Sequence, residues 1–226
     1  MQTEIKRNIK PSLQLSGKGG LYRRYFKRIL DFILALTAIL ILFPLLMAVA
    51  LLIKTDSRGP IFFTQSRPGK DKKIFRVYKF RTMVQDAIKY QKAGVEVIGN
   101  DSRITPLGKF LRRFKIDELA QLINILTGDM SIVGPRPTLP EYIEQYEEWE
   151  LHRFDVRPGL TGLAQVNGNI YLERQEKSVY DVKYIEELTF ITDIKIIFKT
   201  VAIVLFGEDK FINKSEVKMR EENMNR

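Results

Sequence analysis

Residues 32–53 read FILALTAILILFPLLMAVALLI, 22 positions without a charge and with Pro44 near their middle. A helix needs about 20 apolar residues to cross a bilayer, so the run is long enough to span. It is expected to be retained rather than cleaved, because it exceeds the about 7–15 apolar residues of a signal peptide and continues past the cleavage-like Ala48-Val49-Ala50. Both flanks are basic. Residues 1–28 hold eight Lys or Arg against one acidic residue, residues 54–81 hold nine against two, and only Asp31 is charged between them. These flanks account for more than the chain's whole net charge of +10. A nucleic-acid-binding domain would spread its cations over one folded face, so a membrane is the better partner and no nucleic acid is expected.

Positive residues favour the cytoplasmic side, yet Arg23, Arg24, Lys27 and Arg28 precede the run while Lys54, Arg58, Arg67 and Lys70 follow it. Pro44 has no N–H for the carbonyl of Leu40, and its ring crowds that turn. A helix–break–helix hairpin dipping into one leaflet keeps both basic ends together and leaves Asp31 near the headgroups. A kinked span remains open on the same residues, since membrane helices tolerate proline.

The 226 residues leave room for one compact domain with attachments. The absence of Cys excludes disulfides, thiolate metal sites and cysteine nucleophiles, and the single histidine, His152, excludes multi-histidine metal sites. No internal repeat, P-loop or G-x-G-x-x-G sequence is present. Period-two patterns over Ile61–Gln65 and Ile74–Met83, joined through Arg67-Pro68-Gly69-Lys70, predict a β-hairpin. Alternation puts Lys79 and Arg81 on one face, a pair suited either to a phosphate or to a charged edge strand.

Beyond a polar region at Gln91–Asn100, Thr105-Pro106 predicts an N-cap opening a helix over Pro106–Phe114. A second helix is expected from Asp117, with Leu119, Leu122, Ile123 and Leu126 as its buried stripe and Gly128 as its end. Asp117 and Glu118 in its first turn suit either capping or catalysis, because a helix start also favours an ionised carboxylate and an incoming phosphate. Gly134-Pro135-Arg136-Pro137 reads as a rigid loop that displays Arg136, or simply as a turn before a helix over Pro140–Phe154, near whose end His152 would meet the dipole. Arg157-Pro158-Gly159 fits a type II turn, with Arg157 as a second phosphate clamp. Phe190, Ile194, Ile197, Val201 and Val204 form a helical stripe for either a core helix or an interfacial one, and the polar tail Gly207–Arg226 is expected to stay unpacked.

In order, Lys27-Arg28-Ile29-Leu30-Asp31, the proline-broken run, Lys79-Phe80-Arg81-Thr82-Met83, Asp117-Glu118-Leu119, Gly128-Asp129-Met130-Ser131, Gly134-Pro135-Arg136-Pro137 and Arg157-Pro158-Gly159-Leu160-Thr161-Gly162 resemble the bacterial sugar transferases, the monotopic phosphoglycosyl transferases, over about residues 22–207. One departure is Phe43-Pro44, where some members have Ser-Pro. The resemblance implies an α+β fold: a small helix-rich catalytic domain with a short β-hairpin, anchored in the inner membrane by a proline-broken re-entrant helix and facing the cytoplasm. The corresponding boundaries are a basic leader (1–28), the membrane helix (29–53), the transferase domain (54–207) and the tail (208–226).

The resemblance also implies transfer of a sugar 1-phosphate from a UDP-sugar to a polyprenyl phosphate such as undecaprenyl phosphate, with UMP released. Such a step opens surface-glycan, exopolysaccharide or lipopolysaccharide synthesis. Asp117 would be the nucleophile of a covalent intermediate, Glu118 a base or metal orienter, and Asp117 with Glu118 the ligands of a magnesium ion. Lys79, Arg81, Arg136 and Arg157 would neutralise phosphate, and Asp181 is a further site candidate. A homo-oligomer is left open. The competing function is a non-catalytic basic adaptor that binds anionic lipid or nucleic acid and has no need of Asp117.

Overall fold

One long helix, α1 (Lys27–Asp56), enters from a π-helical turn over Tyr22–Phe26 and carries Pro44 inside it. The computed structural model describes residues 20–84, 87, 101–207 and 210–211. The basic leader before residue 20, the polar region 91–100 and nearly all of the tail therefore lie outside the described residues. The expected break at Pro44 is not a loop: the helix runs through it, and the proline withholds one ladder hydrogen bond.

The hairpin forms from β1 (Phe62–Pro68) and β2 (Ile74–Phe80), antiparallel with Phe62 opposite Phe80 and Pro68 opposite Ile74. Its turn falls later than the sequence suggests, with Asp71 and Lys72 at positive φ. The second strand ends at Phe80 rather than Met83, so strand alternation does not extend to Arg81. Helix α2 (Pro106–Arg113) starts as expected, the Thr105 hydroxyl accepting from the Gly108 amide at 2.9 Å.

A 3-10 turn over Ile116–Gln121 leads into α3 (Leu122–Thr127), which Gly128 ends at φ 93°. The tighter 3-10 winding shifts the buried face of this segment. Asn124 and Ile125 are fully buried, whereas Leu119, Ile123 and Leu126 of the expected stripe are only partly so.

Next, β3 (Ser131–Val133) and β4 (Gly159–Thr161) pair in parallel, Ser131 opposite Gly159 and Val133 opposite Thr161. Gly159 is therefore strand, not the positive-φ corner of a type II turn. A Cβ on it would lie 2.1 Å from the Gly134 nitrogen, which is why the two loop sequences can meet only through glycines. The segment between these strands is not the single helix expected over Pro140–Phe154 but two 3-10 stretches, Pro140–Gln145 and Glu148–Asp155.

Short α4 (Leu163–Val166), α5 (Arg174–Glu186) and α6 (Phe190–Phe206) complete the chain. Three apolar clusters hold these elements together. One joins Val133, Val156, Val166, Tyr184, Ile185, Leu188 and Ile196. The other two both include α1, through Ala35 against Val77, Leu122 and Ile125, and through Val49 and Ile53 against Phe80, Leu111 and Ala120. In α6 the buried positions are Asp193 and Ile196, while Phe190, Val201 and Val204 of the expected stripe face outward beside Ile191, Phe198 and Leu205.

Candidate active site

Glu118 is the point on which three separate elements converge. Its Oε1 accepts from Lys79 Nζ of β2 at 2.8 Å and from Arg136 Nη2, in the loop after β3, at 2.8 Å; Arg136 Nη1 lies 3.4 Å from Oε2. Asn124 fixes β2 against this helical segment: its Oδ1 accepts from the Tyr78 amide at 2.9 Å and its Nδ2 donates to the Arg76 carbonyl at 2.8 Å. The hydrogen bonds therefore set Lys79 in register with Glu118. Sequence reading passes over Asn124, although a polar residue inside the apolar Leu122–Leu126 run is a visible signal.

The loop carrying Arg136 is pinned through its backbone. The Gly134 amide donates to the Thr161 carbonyl and the Gly159 amide to the Pro135 carbonyl, each at 2.9 Å. Lys79 and Arg136 keep 27% and 34% of their side chains exposed, so both cations remain within reach of a ligand.

Asp117, the neighbour of Glu118, is 7% exposed, and among the described residues no hydrogen bond reaches its carboxylate. Neither acidic side chain caps the turn, whose preceding residue, Lys115, sits at a left-handed φ of 56°. Burial first, and then the charge of Glu118, raise the Asp117 pKa above the ordinary carboxylate range, against the pull of Lys79, Arg112 and Lys115. Glu118 goes the other way: burial opposes its charge, but Arg136 and Lys79 outweigh burial and hold it well below that range. Two adjacent carboxylates in opposite environments are suited to different tasks. Arg112, which also donates to the Thr82 hydroxyl at 2.9 Å, and Lys115 are site neighbours not anticipated from the sequence.

Two of the four expected phosphate clamps are placed elsewhere. Arg81 is buried, and its Nη2 donates to the carbonyls of Ile53 at 3.1 Å and Ser57 at 2.6 Å, closing the end of α1. Arg157 Nε donates to the Gly128 carbonyl at 2.7 Å, beside Arg28, which donates to the carbonyls of Ile125 and Leu126. An arginine that caps a helix end and one that binds phosphate carry the same fork of donors, and sequence does not separate them. His152 pairs through Nδ1 with Asp155 Oδ2 at 2.8 Å, a side-chain partner rather than a helix dipole. Asp31 is buried and accepts from the Ser131 hydroxyl at 2.7 Å and the Ile132 amide at 3.0 Å, so that it grips β3. Asp181 lies behind the Arg136 loop, 2.9 Å from Arg153.

Among the described residues no cluster of three or more His, Cys, Asp or Glu could hold a metal ion. Magnesium does not require one, since it binds through one or two carboxylates together with substrate phosphates and water. Asp117 has open lone pairs for such an ion, whereas Glu118 already accepts from two cations. The residues present fit magnesium carried in with a diphosphate.

The family model described as bacterial sugar transferase matches residues 22–207. The chain belongs to that family. Among the relatives of this bacterial sugar transferase is the UDP-glucose:undecaprenyl-phosphate glucose-1-phosphate transferase of Escherichia coli (strain K12), 45% identical over 186 residues that cover 79% of this chain and 40% of the relative. The UDP-N-acetylgalactosamine-undecaprenyl-phosphate N-acetylgalactosaminephosphotransferase of Aeromonas hydrophila is 37% identical over 81% of this chain and 44% of its own. The exopolysaccharide production protein PSS of Rhizobium leguminosarum bv. phaseoli is 40% identical over 77% of this chain and 92% of its own. The transferase thus spans about two fifths of the first two relatives and nearly all of the third.

Proposed function

We propose that this transferase moves a sugar 1-phosphate from a UDP-sugar to undecaprenyl phosphate and releases UMP, as a membrane step of exopolysaccharide or related surface-glycan synthesis. The observation that carries the reading is the divergence of the adjacent carboxylates: Asp117 buried without a hydrogen bond among the described residues, Glu118 clamped by Lys79 and Arg136. The activities for which the relatives are named supply the substrate classes.

In the first step an Asp117 carboxylate oxygen attacks the sugar-bearing phosphorus. The bond from that phosphorus to the bridging oxygen breaks, and UMP departs with that oxygen. In the second step a phosphate oxygen of undecaprenyl phosphate attacks the same phosphorus, the Asp117–phosphorus bond breaks, and the free carboxylate returns with a diphosphate-linked sugar as product. Positioning and neutralisation of charge supply most of the catalysis in phosphoryl transfer. Lys79 and Arg136 do this from their exposed sides, while Glu118 fixes them in place. A magnesium ion held at Asp117 and the diphosphate would add charge neutralisation.

The way the domain holds α1 supports a one-leaflet reading of its membrane geometry. It is about 45 Å long at 1.5 Å per residue, and the domain grips it at both ends: Lys27, Asp31 and Ala35 near the start, Val49 and Ile53 near the finish. A crossing helix would carry one end away from the domain. We read the gripped helix as entering one leaflet and returning, with Pro44, where the ladder lacks a hydrogen bond, as the point that yields in lipid, and the domain as lying on the cytoplasmic face of the inner membrane. Its other faces expose Ile33, Leu40, Ile41 and Leu51, and α6 adds Phe198 and Leu205. Such faces belong in lipid, where the acceptor's phosphate lies at headgroup depth.

The test uses the full-length transferase in lipid nanodiscs with undecaprenyl phosphate, magnesium and a panel of UDP-sugars. Release of UMP with a lipid-linked diphosphate sugar is the expected result. Absence of UMP release across the panel contradicts the reading.

A further inference from the structure

Arg153, which is 7% exposed, connects three groups behind the Arg136 loop. Its Nη2 donates to the Arg136 carbonyl at 2.9 Å and stands 2.9 Å from Asp181 Oδ2, and its Nη1 donates to the Tyr146 hydroxyl. That hydroxyl in turn donates to Thr138 Oγ1 at 3.1 Å, so one guanidinium reaches the loop at two places. The guanidinium also lies over the Tyr146 ring at 4.9 Å from its centroid, with Arg174 near the same ring at 5.2 Å. Asp181 is 2% exposed, and among the described residues its Oδ1 has no hydrogen-bond partner.

A buried carboxylate with only one oxygen engaged is costly unless the pair it makes serves a purpose. We infer that Asp181 is a positioning residue that acts through Arg153 on the backbone of Arg136 and thereby sets that cation against Glu118. The inference rests on the transferase reading, in which Arg136 neutralises the transferred phosphoryl group.

The geometry favours this role over simple packing. Arg153 holds the Arg136 carbonyl directly, through one donated hydrogen bond. Next along the loop, Arg67 reaches the Pro137 carbonyl only at 3.4 Å. Asp181 holds the same nitrogen, Nη2, that donates to the Arg136 carbonyl. Without its charge Arg153 can turn to Tyr146, and the Arg136 carbonyl loses this hydrogen bond. Lys79 reaches Glu118 from β2, on an independent path.

The experiment is a pair of double-mutant cycles on the full-length protein in nanodiscs, using whichever UDP-sugar the wild type turns over, with thermal melts for every variant. Asp181→Asn should lower kcat at least about tenfold with KM for the donor changed less than about threefold. Combined with Arg136→Gln, it should add less than about twofold, whereas combined with Lys79→Gln the two losses should multiply. Loss of fold alone would multiply in both cycles.

In parallel, amide exchange over residues 131–138 should quicken in Asp181→Asn while exchange in β1 and β2 stays at wild-type rates. This arm needs no turnover, so it reads the strut even if the transferase reading fails. Multiplying losses in the Arg136 cycle, or unchanged exchange over 131–138, overturns the inference. If Asp181→Asn does not fold, Arg153→Lys, which keeps the charge but not the fork, takes its place with the same two outcomes.

Discussion

Lys27 Nζ stands 2.6 Å from Asp193 Oδ2, joining the first turn of α1 to α6 across 166 residues of chain. Tyr22 donates to the same oxygen at 2.6 Å and Tyr184 to Oδ1 at 2.7 Å. Burial, reinforced by Asp193, pushes the Tyr184 phenol well above its ordinary range, so it stays a donor at every working pH. The helix that enters the lipid is thus fixed to the domain by a buried polar knot as well as by apolar contacts.

Removing one partner of that knot leaves the other charge buried. Asp193→Ala should cost about 3–5 kcal/mol, which for a chain of this size lowers the melting temperature by roughly 10 °C. Replacing both partners, Lys27→Met with Asp193→Leu, should cost much less. Melts followed by helical signal in nanodiscs check this; a single variant that melts with the wild type would show that the knot holds nothing.

The glycine contact between the two loop sequences is a sharper steric test. An added Cβ at Gly159 falls 2.1 Å from the Gly134 nitrogen, on backbone that also supplies the hydrogen bonds holding the Arg136 loop. Gly159→Ala should destabilise by about 3 kcal/mol or more and reduce UMP release beyond what the stability loss explains. Gly20→Ala, with open space around it, serves as the control and should change neither.

Opposite pKa shifts in adjacent residues give stability terms of opposite sign. Asp117 is raised in the folded protein, so the folded state holds its proton more tightly, and this term weakens the fold as pH rises through the raised value. Glu118 is depressed, so its contribution is present above the ordinary Glu range and is lost as pH falls towards the lowered value. In metal-free protein at neutral pH, Asp117→Asn should therefore melt at or above the wild-type temperature, while Glu118→Gln should melt lower. Asp181, pushed up to about 6 mainly by burial, adds a term of the Asp117 sign between the ordinary Asp range and about pH 6. Wild-type transfer should fall in acid above the ordinary Asp range, because Asp117 must be ionised to attack.

The sequence has no cysteine, so single reporters test the topology cleanly. Gly20→Cys and Pro60→Cys flank α1 at exposed positions, and both should label from the cytoplasmic side only. Labelling from opposite sides would establish a span.

What could be read in advance was mostly local. The hairpin, the Thr105 cap and the Gly128 stop are decided by neighbouring residues, and each forms. The parallel pairing of β3 with β4 could not be read, because its three-residue strands are defined by a contact between Gly134 and Gly159 that neither segment signals alone. The stripe on α6 was legible as apolar but not as outward-facing. The rule that apolar faces turn inward gives no guidance where Asp193, tied to Lys27, points into the domain and the larger apolar residues face outward. Of the residues singled out in the sequence, the adjacent carboxylates and the cations Lys79 and Arg136 come together, whereas Arg81 and Arg157 engage backbone carbonyls 24 or more residues away, which no local pattern signals. The strut from Asp181 to Arg136 depended on Arg153, which carries no motif.

The most direct test of the central claim mixes wild-type protein with UDP-sugar and magnesium before any undecaprenyl phosphate is added. The account predicts a sugar-phosphate adduct on the peptide that contains Asp117, UMP released in step with it, and discharge of the adduct when the acceptor arrives. Asp117→Asn should fold, form no adduct and release no UMP. Near-normal turnover by Asp117→Asn, or an adduct mapped to another residue, would contradict the account.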